Sequence, residues 1–243
     1  MYFKINIADT VIGIKSIYEE IYKMCLDYLT DDNVDFDIKV IPDDIEFERQ
    51  KSIKEAQIEK LPIYNYPDSY LETLAVYRKI AVKMLERNTF LMHGSAVAVD
   101  NEAFIFTAPS GTGKTTHTKL WLDNIPGAFV VNGDKPLIKV NDDMCEVCGT
   151  PWAGKEGFNT NTSVPLSAIC ILERGKKNQI SALSFKEAYP FLFSQIYKPA
   201  KGEDIVKTLE LIKKLAQSVR FYRLACNMDP EAAKVAFKGM KER

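Results

Sequence analysis

The run Ser110-Gly-Thr-Gly-Lys-Thr-Thr116 is the stretch whose residue types and spacing suit chemistry best. It matches the second half of the pattern Gly-x-x-x-x-Gly-Lys-[Ser/Thr], in which backbone N–H groups surround phosphate oxygens and the Lys reaches the β- and γ-phosphates. Gly111 and Gly113 leave the backbone uncovered, so its N–H groups can turn inward through dihedrals that only Gly adopts without steric cost. A helix beginning there adds unpaired N–H groups and the positive end of its dipole. Lys114 adds a point charge, and the Thr115 hydroxyl is placed to ligate Mg²⁺. The expected ligand is ATP with Mg²⁺, held by Ser110, Gly111, Thr112, Gly113, Lys114, Thr115 and Thr116. One position departs from the pattern. Ala108, followed by Pro109, stands where the first Gly belongs, so the loop's entry must be tighter or straighter than usual.

Phosphoryl transfer also needs a metal anchor and a base beside an acceptor. Asn132-Gly-Asp-Lys135 follows a strand-like run about twenty residues beyond Lys114, where nucleotide-binding folds keep an acid for Mg²⁺ or its water. Asp134 is the candidate, against a turn Asp in Gly-Asp. His93 interrupts the apolar run Phe90–Val99, and a hairpin with the next strand would bring it to the phosphates. The alternative for His93 is a hydrogen-bonded core residue. Residues 151–163 are too rich in Gly and Asn for a regular element, yet carry Trp152, Lys155, Glu156, Asn159 and Asn161. They read as a binding loop, with Lys155 and Asn159 as contacts to the second substrate.

These residues need elements to hold them. Ala103–Thr107 is a short apolar run suited to a buried strand, and residues from Thr116 to Asn124 read as a helix carrying Leu120, Trp121 and Leu122. Residues 128–131, 136–140, 144–150, 166–172 and 219–225 read as further strands, some antiparallel. Ser184-Phe-Lys-Glu187 is a capping box opening a helix to about Ile196, residues 202–217 are an amphipathic helix, and Asp229-Pro230-Glu231 opens the last helix. A helix from Asp68 or Ser69 to about Arg87 precedes the whole set. Residues 1–65 read as an accessory α+β region, with a hairpin over Tyr2–Ile14 and a helix capped by Ser16 reaching about Thr30. A strand over 35–41 follows, then a charged stretch over 43–60, either an exposed helix or a mobile connector. Residues 66–243 form the expected nucleotide-binding domain. The predicted fold class is α/β, a mixed sheet with the phosphate loop at its carboxyl edge, plus the small N-terminal α+β region.

Composition narrows the partners. Thirty-two Lys+Arg against thirty-three Asp+Glu leave a net charge of −1, so no global field draws nucleic acid or anionic lipid. No apolar run approaches membrane-spanning length and no basic-then-apolar leader is seen, so a cytoplasmic protein without a membrane partner is expected. Five cysteines without framework spacing point to reduced thiols, and Cys145-x-x-Cys148 lacks the further Cys or His partners of a zinc site. A homo-oligomer is left open.

Together, His93-Gly94 before the loop, Ser110-Gly-Thr-Gly-Lys-Thr115, the acidic turn at Asp134 and Phe221-Tyr-Arg-Leu224 followed by Asp229-Pro230 resemble the catalytic domain of HPr kinase/phosphorylase. They also resemble the wider phosphoenolpyruvate carboxykinase-like group of P-loop folds, and the loop run is nearest the carboxykinase branch. The resemblance covers the chain from about residue 69. It implies ATP and Mg²⁺ as donor, Lys114 on the phosphates, Thr115 and Asp134 near the metal, and His93 beside an acceptor. Where the group usually has two adjacent Asp, this chain has Gly133-Asp134-Lys135, so either Asp134 serves as both anchor and base or His93 takes the second role. The implied activity is a kinase acting on a serine-type hydroxyl in a peptide, protein or small molecule. The competing class is a nucleotide-binding or hydrolysing module, an ATPase or switch with no acceptor. A decarboxylating carboxykinase would need His among its Mn²⁺ ligands, and the chain has only two histidines, one of them within the loop's own helix.

Overall fold

The structure, a computed structural model, describes residues 1–241. The chain forms two compact units, one of residues 1–83 and one from residue 84 onward.

In the first unit, β1 (Tyr2–Ile7) and β2 (Thr10–Lys15) form an antiparallel hairpin, and β3 (Phe36–Lys39) joins β2 in parallel. The hairpin turn uses Ala8 and Asp9, both at positive φ. The helix expected from Ser16 to residue 30 is corrected. Helix α1 covers only Glu20–Met24, and a 3₁₀ turn follows at Leu26–Tyr28. Ser16 does not cap it; its hydroxyl donates to the Tyr18 carbonyl. The neighbouring N–H groups of Ile17 and Tyr18 instead donate to the buried carboxylate of Glu72, at 2.6 and 2.8 Å. A local cap has lost to a charged acceptor 54 and 55 residues away in sequence. The charged stretch after Ile41 is a helix, α2 (Pro42–Glu59), and not a connector. Its Asp44 and Glu48 pair with Arg78 on α3 (Asp68–Met84), which accounts for a Glu48 that is only 3% exposed.

The second unit is built on a mixed sheet. Its strands run β4 (Thr89–Leu91), β5 (Ser95–Val99), β6 (Glu102–Thr107), β7 (Phe129–Asn132), β8 (Leu137–Val140), β9 (Cys145–Cys148), β10 (Ser163–Arg174), β11 (Gln179–Leu183) and β12 (Arg220–Cys226). Strand β6 is central, parallel to β10 and antiparallel to β5, and β10 is also parallel to β12. Strands β7 to β5, β8 to both β4 and β9, and β11 to β12 pair antiparallel. The helices are α4 (Lys114–Asn124), α5 (Phe185–Gln195), α6 (Gly202–Ser218) and α7 (Glu231–Lys241). Strand β11 is absent from the sequence reading, because Gln179-Ile-Ser-Ala-Leu183 is a half-exposed edge with little apolar signal.

The β-strand period of two explains the layering. Ile105, Ile169 and Ile171 face one core with Leu192 of α5 and Leu211 and Leu215 of α6. Phe104, Phe106, Cys170 and Leu172 face the other, with Trp121 of α4 and Ala233, Ala236 and Met240 of α7. Central strands covered on both faces read as continuous apolar runs. Such a sheet holds the loop after β6 rigidly at its carboxyl edge. All five cysteines are free thiols. Among the described residues, no helix is long and apolar enough to cross a membrane.

Candidate active site

Strand β6 ends at Thr107, and the chain passes through Ala108–Gly113 into α4. Gly111 and Gly113 have φ of +74° and +125°, and a Cβ on either would meet nothing within 4 Å. Glycine is therefore required by the backbone conformation and not by crowding. The Lys114 ammonium donates to the Ala108 carbonyl at 2.9 Å, folded back over its own loop. Burial lowers the Lys114 pKa from the usual ammonium value, and the nearby Asp134 charge works against that shift.

Three strand ends converge beside this loop. The β5–β6 register sets Ser95 opposite Phe106, so His93 and Gly94 run alongside Thr107, whose hydroxyl donates to the His93 carbonyl at 2.9 Å. Gly94 is needed for close approach, since a Cβ there would stand 2.8 Å from Ile105 Cγ2. The β5–β7 register sets Ala96 opposite Asn132, which delivers the Gly133-Asp134 turn to the same place. The Gly94 N–H donates to the Asp134 carbonyl at 2.9 Å, and His93 Nε2 lies 3.3 Å from Asp134 Oδ1. His93 Nδ1 lies 3.1 Å from Gln195 Oε1 at the end of α5, and the Gln195 amide donates to Ser194 Oγ, which leaves Oε1 for the ring. Burial pushes the Asp134 carboxyl up; the His93 hydrogen bond and the Lys135, His93 and Lys114 charges outweigh it and hold the group below the usual carboxylate value.

The resulting cleft has a volume of about 620 Å³. Of the residues expected from sequence, His93, Ser110, Gly111, Gly113, Lys114, Thr115, Thr116, Asp134 and Lys155 line it. Thr112 faces the neighbouring cavities on the other flank of the loop. Asn159 is not brought to the cleft wall. It pairs with Asn132 in an isolated bridge, and its side-chain amide donates to the Gly157 carbonyl at 3.1 Å, a role in holding the 151–163 loop. That loop is further tied by Gly133 N–H to the Phe158 carbonyl and Thr160 N–H to the Val131 carbonyl.

No known family model matches the chain, and no curated protein matches it. Among solved structures it is similar to the HPr(Ser) kinase/phosphatase from Coxiella burnetii. The two are 8% identical, the match covers 61% of this chain and 95% of that chain, and the TM-score is 0.37.

Asn132 and the Ser95–Thr118 pair escaped the sequence reading, and Arg174, which the sequence leaves facing either the site or water, turns to the loop. Asn132 is fully buried; its Oδ1 accepts from the N–H groups of Asp134 and Lys135 at 2.9 and 2.6 Å, and its Nδ2 donates to the Thr150 carbonyl at 2.9 Å. Its position two residues before Asp134 in a Gly-containing turn was the available signal, since Asn commonly holds such turns. Ser95 Oγ and Thr118 Oγ1 hydrogen-bond at 2.7 Å on the cleft wall, tying β5 to α4. Arg174, at the end of β10, donates to the Gly111 carbonyl at 2.7 Å and so braces the loop's tip. Neither contact has a local sequence signal, because each joins residues distant in the chain.

Thr115 and Asp134 line one cleft and together offer a hydroxyl and a carboxylate. That donor set suits Mg²⁺, which is commonly held by one or two carboxylates plus substrate phosphates and keeps several waters. Among the described residues, no group of three or more His, Cys, Asp and Glu is arranged to hold a metal without such help.

Proposed function

We propose that residues 110–116 bind the phosphates of ATP with Mg²⁺, and that the γ-phosphoryl group passes to a hydroxyl on a peptide, protein or small-molecule acceptor. The observation that supports this most is the meeting of Lys114, Thr115, Asp134, His93 and Lys155 around one cleft. Mg²⁺ held by Thr115 and Asp134 would supply charge neutralisation across the phosphates. Lys114 would leave the Ala108 carbonyl for the β- and γ-phosphate oxygens, exchanging a neutral acceptor for charged ones. The acceptor oxygen would form its bond to the γ-phosphorus as the bond to the β,γ-bridging oxygen breaks, ADP leaving. The hydroxyl proton would go to the Asp134–His93 pair, and Lys155 would hold the acceptor. Positioning and charge neutralisation carry most of the rate in such reactions.

An ATPase or switch is the second reading. It needs one group to orient a water, whereas the cleft here extends from the loop to His93, Asp134 and Lys155, enough for a second substrate. Incubation with γ-labelled ATP, Mg²⁺ and a panel of peptides and hydroxylated metabolites tests the choice. Label appearing in an acceptor supports the kinase; label released only as inorganic phosphate, at the same rate with and without every acceptor, supports the hydrolysing module.

A further inference from the structure

In the first unit, α2 ends at Glu59 and α3 begins at Asp68, and the run Leu61-Pro-Ile-Tyr-Asn-Tyr-Pro67 between them belongs to no helix or strand. Asn65 is its one polar residue, yet all seven are exposed. Ile58 near the end of α2 and Tyr70 in the first turn of α3 add to this apolar stretch, and its large side chains are 37–72% exposed. Apolar surface gathered in this way marks an interaction site, whereas single exposed apolar residues do not.

The run is anchored to its own unit. Arg49 of α2 donates from Nη1 to the Tyr66 carbonyl at 3.1 Å and pairs with Asp68 at the start of α3. The Tyr66 ring centroid lies 6.1 Å from that of Tyr64 and 5.0 Å from that of Tyr70, so the three tyrosines form one row. A surface ordered before it binds loses less entropy on docking, and tyrosines are common anchors of interfaces. The backbone is open as well. Among the described residues, the N–H groups of residues 63–66 donate to no protein acceptor. Leu61 and Tyr66 each precede a proline, which favours extended backbone, and an extended run with open N–H groups can pair with another as a strand.

The sequence Pro62-Ile-Tyr-Asn-Tyr66 is matched to itself. Antiparallel pairing about a two-fold axis at Tyr64 sets Pro62 of one copy against Tyr66 of the other, Ile63 against Asn65, and Tyr64 against Tyr64. Antiparallel pairs alternate between those that exchange N–H···O bonds and those that exchange none. Pro62 has no N–H and the Tyr66 carbonyl is taken by Arg49, so the Pro62–Tyr66 pair fits the second kind. Ile63 and Asn65, both with open N–H groups, then fall in the hydrogen-bonded pairs. Ile58, Leu61, Ile63, Tyr64, Tyr66 and Tyr70 expose on the order of 700 Å² per copy, so a pairing that covers most of it reaches the roughly 1,000 Å² in total that a specific interface needs.

We propose that a second copy of this chain covers this surface, in a two-fold dimer centred on Tyr64. The same patch serves both copies, as a closed two-fold interface requires.

The test is sedimentation velocity of the full chain without nucleotide from about 1 to 200 μM, where an interface near the lower size limit should take wild type from monomer to dimer. Tyr64→Asp and Tyr64→Lys, at a residue 62% exposed, each set like charges against each other at the axis and should stay monomeric throughout, with the far-UV circular dichroism of wild type. An equal mixture of the two should recover the dimer, because the axis then sets Asp against Lys. Ile63→Pro removes an N–H that donates to nothing within its own copy and should weaken the dimer by about tenfold or more. A wild type that stays monomeric, a dimer that persists in either charged variant, a mixture that fails to recover it, or an unweakened Ile63→Pro dimer would overturn the proposal.

Discussion

His93 Nε2 stands 3.3 Å from Asp134 Oδ1, and the backbones of the two segments are joined by the Gly94 N–H to Asp134 carbonyl bond at 2.9 Å. The contact links the start of β5 to the end of β7, so the candidate base pair is held by sheet register and not by a flexible loop. In the proposed reaction the two residues are unequal, since Asp134 also faces the metal. Asp134→Asn should therefore reduce single-turnover transfer more than His93→Ala, whose loss should be about 10²–10⁴-fold, the usual range for a general acid–base group. Transfer by Asp134→Asn at the wild-type rate would sink the assignment and move the metal anchor to Glu156, the other acid on the cleft wall.

Lys114 carries the strongest single expectation for binding. With ATP and Mg²⁺ at a hundredfold excess over Kd, wild type should gain about 2.7 kcal/mol. For a chain of this size that is a rise in Tm of several degrees. Lys114→Ala should show almost none of this shift in a thermal melt. A full shift in the variant would mean that the loop's N–H groups hold the phosphates unaided.

Lys155 is exposed on the 151–163 loop and lines the cleft. If it holds the acceptor, Lys155→Ala should raise the acceptor KM by about tenfold while ATP affinity stays within about twofold, since a single charge-assisted contact is worth roughly 1.5–3 kcal/mol. A loss confined to ATP affinity would reassign Lys155 to the donor.

His117 makes stability depend on pH. Its folded-state pKa is lowered from 6.5 to about 4, so over this interval the unfolded chain takes up a proton that the folded chain refuses. Its contribution is full above pH 6.5 and is lost as pH falls towards 4. One proton changes the unfolding free energy by about 1.4 kcal/mol per pH unit, or about 3 kcal/mol across the interval. Urea unfolding followed by circular dichroism should lose this slope in His117→Phe, against a background of titrating carboxylates common to both proteins. An unaltered slope would show that His117 titrates normally.

Glu72 is the corresponding test in the first unit. Its fully buried carboxylate accepts the N–H groups of Ile17 and Tyr18. Glu72→Ala strands both donors and should destabilise that unit by about 2–4 kcal/mol, read as early loss of amide-exchange protection in β1 and β2. Unchanged protection would mean water replaces the carboxylate without cost.

The sequence by itself determined the glycine-bearing turn between β6 and α4, because Gly111 and Gly113 act through local backbone conformation. It determined the central strands as well, since a sheet covered on both faces writes itself as apolar runs such as Ala103–Thr107 and Leu166–Leu172. It nominated His93, Asp134 and Lys155; the β5–β6 and β5–β7 registers bring the first two together, and the 151–163 loop carries Lys155 to the same cleft. It could not give the helix after Ser16 its true length, find β11, or show that Asn159 holds its loop and does not line the cleft. Nor could it show that Asn132 orients Asp134, that Gln195 takes the His93 ring, that Arg174 braces Gly111, or that Trp121 fixes the His117 proton on Nδ1. Most of these outcomes are side-chain contacts across sheet register or helix packing. A linear pattern records what each residue prefers, and only the folded chain decides which partner it meets.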